Sequence, residues 1–96
     1  MNDDIENSIL TFEEKHLISI MMFLSLNGEC RKIDVYHNVS SNPRIPDKLD
    51  RLESMGLITQ IRDPNTRSIM IRLTESGKHV ASTLAELDRF LRAPKP

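Results

Sequence analysis

Between residues 17 and 26 the only polar side chains are Ser19 and Ser25. A helix apolar on every side is buried on every side. A chain of 96 residues has a modest interior, so part of this surface is expected to meet a second subunit. Ahead of it, Thr11-Phe12-Glu13-Glu14 reads as a capping box, with Thr11 bonding the Glu14 amide and Glu14 reaching back. That places a helix from residue 11 to about 27, with Gly28 as its left-handed stop. Residues 1–10 are polar and acidic and are expected as a flexible N-terminus. A very short strand fits residues 29–30, and a second helix fits 31–38, where Ile33, Val35 and Tyr36 supply apolar contacts. Residues 39–43 carry turn chemistry. In the next segment Ile45, Leu49 and Leu52 fall at i, i+4, i+7, one face of a helix that Gly56 ends. Pro46 lacks an amide hydrogen and is tolerated only in a first turn, which sets the helix start near residues 44–45. Residues 57–62 and 68–73 are β-branched and alternating, with Ile69, Ile71 and Leu73 on one face and Ser68, Met70 and Arg72 on the other. The turn-rich loop Asp63-Pro64-Asn65-Thr66-Arg67 joins them into a hairpin. Thr74 then caps a last helix to about residue 92, and 93–96 form a tail.

The order is helix, helix, turn, helix, hairpin, helix. A short helix, a tight turn and a second helix make a helix-turn-helix unit, and a hairpin directly after it makes a wing. The expected fold is mainly α with a β-hairpin wing, an α+β winged helix-turn-helix filling residues 11–92 as one domain. No internal repeat or low-complexity stretch interrupts it.

Two segments carry a resemblance. Asp50-Arg51-Leu52-Glu53-Ser54-Met55-Gly56-Leu57-Ile58 resembles the end of the recognition helix and the first wing strand of MarR-like transcriptional regulators. Arg67-Ser68-Ile69-Met70-Ile71-Arg72-Leu73-Thr74-Glu75-Ser76-Gly77 resembles their wing-to-helix signature, an Arg, five residues, then Leu-Thr-x-x-Gly. The resemblance covers about residues 45–77. It implies a dimeric DNA-binding transcriptional regulator that sets a recognition helix, about 44–55, in the major groove and a wing, about 57–73, on the backbone or minor groove. MarR proteins are commonly longer, with additional helices for dimerisation and effector binding. One helix before the motif and one after it point to a small single-domain branch of archaeal type. Pro43 and Pro46 stand where that family's recognition helix usually starts with Ser and Thr.

Charge qualifies this picture. The net charge is −1, unusual for a partner of DNA, and it supports an alternative: a winged-helix protein–protein interaction module within transcription machinery. The charge is unevenly spread. Residues 1–28 hold Asp3, Asp4, Glu6, Glu13 and Glu14 against Lys15, whereas residues 29–73 hold more Lys and Arg than Asp and Glu. Phosphate binding depends on such local placement. Arg44, Lys48 and Arg51 lie at i, i+4, i+7 and form a stripe turned away from Ile45, Leu49 and Leu52, able to bond guanine edges or phosphates. Asp47 and Asp50 flank the stripe and would repel phosphate or read a cytosine amino group. Arg67 ends the wing loop; the resemblance implies that it reaches DNA or braces the wing through an Asp such as Asp63, with Arg62 beside it. Ser41 and Asn42, with Ser40, cap the helix or bond phosphate. Arg31 and Lys32 oppose the dipole at the start of the second helix, which a phosphate partner would explain.

Val80, Leu84, Leu87 and Leu91 follow spacings of 4, 3 and 4, a two-heptad seam. With Leu17 and Phe23 of the first helix they form the expected homodimer interface, so helix 74–92 is read as the dimerisation helix. A single cysteine, Cys30, excludes an intramolecular disulfide and fits a reducing, cytoplasmic setting; it reads as a small buried hydrophobe rather than a redox switch. The acidic N-terminus has the wrong sign for a secretory signal, and the apolar run falls short of the ~20 residues that span a bilayer. His16, His37, His79 and Cys30 offer no paired spacing for a metal, and no cofactor is expected. No Gly-rich phosphate loop, nucleophile elbow or carboxylate pair suggests an enzyme. An effector that binds between subunits has no residue to name it. The expected macromolecular partner is double-stranded DNA.

Overall fold

The computed structural model describes residues 8–94. It begins with a 3-10 turn at Ile9–Glu13, capped by Ser8, whose side chain accepts from the Leu10 amide at 3.1 Å. The helix expected from residue 11 starts later, as α1, Leu17–Asn27. The capping box does not form because both of its partners are engaged elsewhere. The Thr11 amide donates to the Ser8 carbonyl at 3.0 Å, and the Glu14 carboxylate accepts from Lys48. His16, at a left-handed φ of 75°, then separates turn from helix. Of the N-terminal segment expected as flexible, residues 1–7 lie outside the described residues, and residues 8–10 open the 3-10 turn.

Within α1, Leu17, Ile20, Met21 and Leu24 are wholly or almost wholly buried in the chain's own core. Of its other apolar residues, Met22 and Phe23 are half-buried, while Leu26 is 83% exposed and Ile18 45%. A two-residue strand β1, Cys30–Arg31, leads directly into α2, Lys32–Asn38. The next helix, α3, Ile45–Ser54, has Pro46 in its first turn, where the missing amide hydrogen has no partner to lose. Its periodic residues Ile45, Leu49 and Leu52 are completely buried, as their spacing requires. Met55 caps α3. The Gly56 amide then donates to the Glu53 carbonyl at 2.9 Å and the Leu57 amide to the Leu52 carbonyl at 3.1 Å. These two bonds make a Schellman ending, and Gly56 supplies the positive φ, 79°, that it needs.

The wing is the hairpin β2, Ile58–Arg62, and β3, Ile69–Leu73, paired antiparallel from Ile58↔Leu73 to Arg62↔Ile69. β1 adds to the other edge of β3 through Cys30↔Ile71 and Arg31↔Met70, so the sheet order is β1-β3-β2. Ile71 in the central strand is fully buried. The last helix, α4, Glu75–Arg92, is capped by Thr74, whose Oγ1 accepts from the Gly77 amide at 2.9 Å, and it packs along α1. The architecture is a winged helix-turn-helix.

The two sequence segments that carry the resemblance meet at one joint. The Thr74 hydroxyl donates to the Gly56 carbonyl at 2.6 Å, and the Thr74 amide to the Leu57 carbonyl at 3.0 Å. Gly77 faces the same Leu57 carbonyl so closely that a Cβ there would overlap it. The end of α3, the start of the wing and the start of α4 are thereby tied at a single point. No helix among the described residues is long and apolar enough to cross a membrane.

Candidate nucleic-acid interface

The turn into α3 is built by side chains that stand in for backbone. The Asn42 amide donates to Ser40 Oγ at 3.1 Å, and Asn42 Oδ1 accepts from the Arg44 amide at 2.8 Å. These are local turn bonds, so Ser40 and Asn42 shape the helix start, while Ser41 is exposed. Around α3, successive residues turn by about 100°. With Ile45, Leu49 and Leu52 inward, the outermost ridge is Asp47, Asp50 and Ser54, all exposed. Arg44 and Arg51 lie on one flank; Arg44 is exposed and Arg51 half-buried.

Lys48 leaves the expected cationic stripe. It sits at the rim of the buried face, its side chain is only 14% exposed, and its Nζ meets Glu14 Oε2 at 3.1 Å. The acidic N-terminal turn thus neutralises the middle cation of the three. On the other flank, Gln60 of β2 bridges back to the helix. Its Nε2 donates to Asp50 Oδ1 at 2.9 Å and Glu53 Oε1 at 3.0 Å, and its amide donates to Glu53 Oε2 at 3.3 Å. Sequence reasoning missed both Glu14 and Gln60 as parts of this surface, because each acts only through a residue distant in the chain.

The wing loop is self-braced. Asp63 Oδ1 accepts from the Asn65 and Thr66 amides at 2.8 and 3.4 Å. The Arg67 amide donates to the Asp63 carbonyl at 2.8 Å. Asp63 therefore holds the loop by bonding main-chain amides, and the side-chain brace between Asp63 and Arg67, one of the two roles the resemblance implies for Arg67, does not form. Arg62 is turned to the loop as well, its Nη1 donating to the Arg67 carbonyl at 3.2 Å. Arg67 itself has a left-handed φ of 63°. Its side chain is exposed and finds no partner among the described residues, and the same is true of Arg44.

Arg31 is committed within its own helix start. Its Nη2 meets Asp34 Oδ1 at 3.1 Å and its amide donates to Asp34 Oδ2 at 2.9 Å. These bonds hold the Asp34 carboxyl below the usual carboxylate range. This pairing offsets the unfavourable charge that a phosphate was expected to explain. Lys32 is half-buried and shares a shallow depression with Arg31, Tyr36 and Ser68. Cys30 is buried; desolvation first, then the Asp34 and Glu29 charges, push its thiol up to about 11. Among the described residues no three His, Cys, Asp or Glu side chains gather as a metal site would require.

Of the residues expected at a subunit interface, Leu17 is fully buried inside one chain: the first turn of α1 packs directly into the core, so Leu17 has no surface to offer. Phe23, Val80 and Leu84 are half-buried against that core. Leu87 and Leu91 are 51% and 67% exposed. A groove of about 450 Å³ runs between the N-terminal turn and α4, lined by Phe12, Met55, Leu57, Val80, Leu84 and Leu87 among others.

No family model matches this chain, and no curated protein matches it. Solved structures do. One of reduced AbfR bound to DNA superposes with a TM-score of 0.66 at 18% identity, over 97% of this chain and 67% of that one. One of disulfide-formed AbfR gives 0.63 at 22% identity, over 81% of this chain and 56% of that one. The chain thus spans a little over half the length of AbfR in one superposition and two thirds in the other.

Proposed function

We propose that this winged helix is a DNA-binding transcriptional regulator of MarR-like type that acts in the cytoplasm as a homodimer. The observation that carries the reading is the pair of uncommitted arginines. Arg44 at the head of α3 and Arg67 at the tip of the wing are both exposed without side-chain partners among the described residues. In helix-turn-helix proteins these two places meet the major groove and the flanking backbone. Fold similarity to a protein solved on DNA supports the same reading. Arg51 extends the contact along α3; Ser41 and Lys32 supply further phosphate contacts, and Arg31 does so only if its bond to Asp34 opens. Lys48 contributes only if its bond to Glu14 opens. In the dimer, the exposed ends of the two α4 helices pair through Leu87 and Leu91, and two recognition helices enter successive major grooves about one helical turn apart.

The test is fluorescence anisotropy with random-sequence duplex DNA across a salt series, using the native chain and an Arg44→Ala/Arg51→Ala/Arg67→Ala variant. Native binding should fall steeply with salt. The variant should lose most affinity, and its salt slope should flatten by about 0.9 for each phosphate contact removed. A second reading, a protein–protein module, is favoured by one observation: α3 exposes Asp47, Asp50 and Glu53 while Lys48 is neutralised. A folded dimer that ignores duplex DNA even at low salt would establish that reading instead.

A further inference from the structure

Asp47 is the third residue of α3 and sits on its outermost ridge. Its side chain is exposed, with no hydrogen-bond or ion-pair partner among the described residues. Its two carboxylate neighbours on the helix differ: Gln60 holds both Asp50 and Glu53 toward the wing. Asp47 is therefore the one carboxylate in the first turn of α3, and it projects where the N-terminal residues of a recognition helix meet base edges. A carboxylate facing the phosphate backbone would be repelled. One facing the floor of the major groove has a partner there, because cytosine N4 presents a hydrogen-bond donor to Asp or Glu. Arg44 and Arg51 lie on the adjoining flank of α3, and their positive charge beside this carboxylate offsets part of its long-range repulsion from phosphate.

We infer that Asp47 is a specificity-determining residue that accepts a hydrogen bond from the amino group of a cytosine in each half-site. The inference rests on the DNA-binding reading. Asp47 also suits a helix N-terminus electrostatically, and that role predicts a loss of stability with no change in sequence preference.

The experiment is selection of bound duplexes from a random pool by the native chain, by Asp47→Ala and by Asp47→Asn, followed by titration of the selected site with each base at every position. The native chain should prefer cytosine at one position per half-site by about tenfold. Asp47→Ala should lose discrimination at that position and keep it elsewhere. Asp47→Asn should shift the preference there toward adenine, whose N6 and N7 an amide reads together. A uniform rise in affinity of Asp47→Ala for every sequence, or an unchanged preference accompanied by a lower unfolding midpoint, would overturn the inference and leave the DNA-binding reading intact. A native chain that binds no duplex at any salt overturns both.

Discussion

At Gly77 a single hydrogen separates a fitted joint from a clash. Replacing it with Ala drives a methyl into the Leu57 carbonyl, and neither backbone can yield without breaking the Thr74 bonds beside it. Gly77→Ala is expected to lose about 2–3 kcal/mol, as overpacking does, read as a lower midpoint in urea. The Leu-Thr-x-x-Gly pattern marks this glycine in the sequence, but the reason for it, a carbonyl from a residue twenty positions earlier, exists only in the fold. Cys30 gives the opposite lesson, since its reading as a small buried hydrophobe followed from the residue alone. Its raised thiol pKa leaves little thiolate at pH 8, and thiolate is the reactive form. Native protein should therefore react with a thiol reagent far more slowly than urea-unfolded protein. Because the folded value lies above the unfolded one, the stability linked to this thiol is whole below about pH 8.5 and is lost as pH rises toward 11. The free energy of unfolding should fall by roughly 1 kcal/mol from pH 9 to 10, and Cys30→Ala should remove that decline. Asp34 acts at the other end: its lowered value keeps its contribution above the ordinary carboxylate range and withdraws it as pH falls below.

At the scale of the element, what could be read from the sequence was what neighbours in the chain decide. The hairpin followed from alternation and a turn-rich loop, α3 from its i, i+4, i+7 stripe and Pro46, and the start of α4 from Thr74. The N-terminus could not be read this way. A Thr-x-x-Glu pattern is a local signal, and here one distant and one local demand override it: Lys48 takes the Glu14 carboxylate and the 3-10 turn takes the Thr11 amide. The candidate site shows the same division. Arg44 and Arg67 stand where their positions in the pattern put them, whereas Lys48 turns away for a partner 34 residues off. Gln60 gave no sequence signal at all, yet it spans from β2 to two carboxylates of α3. Gln60→Ala should cost about 1 kcal/mol, leave the fold intact, and raise amide exchange across the wing hairpin.

At the scale of the whole molecule, the exposed apolar end of α4 sets the question of assembly. Leu87 and Leu91 contribute little to the single chain's core, so replacing them should spare the fold. In sedimentation equilibrium the native chain is expected as a dimer, and Leu87→Glu/Leu91→Glu as a folded monomer with unchanged circular dichroism; a native monomer at every concentration would sink the dimer reading. The strand order also bears on how the chain reaches its native form. Because β3 lies between β1 and β2, the two residues that introduce the helix-turn-helix pair with a strand some forty positions later, and Arg72 reaches back to Glu29 at 3.0 Å. Closing so long a loop carries an entropic cost that the contacts reward only afterwards. The first half of the chain therefore has no finished sheet edge until the wing has been made. On a ribosome, where residues emerge in order, the strand that introduces the helix-turn-helix waits for β3 before it has a partner.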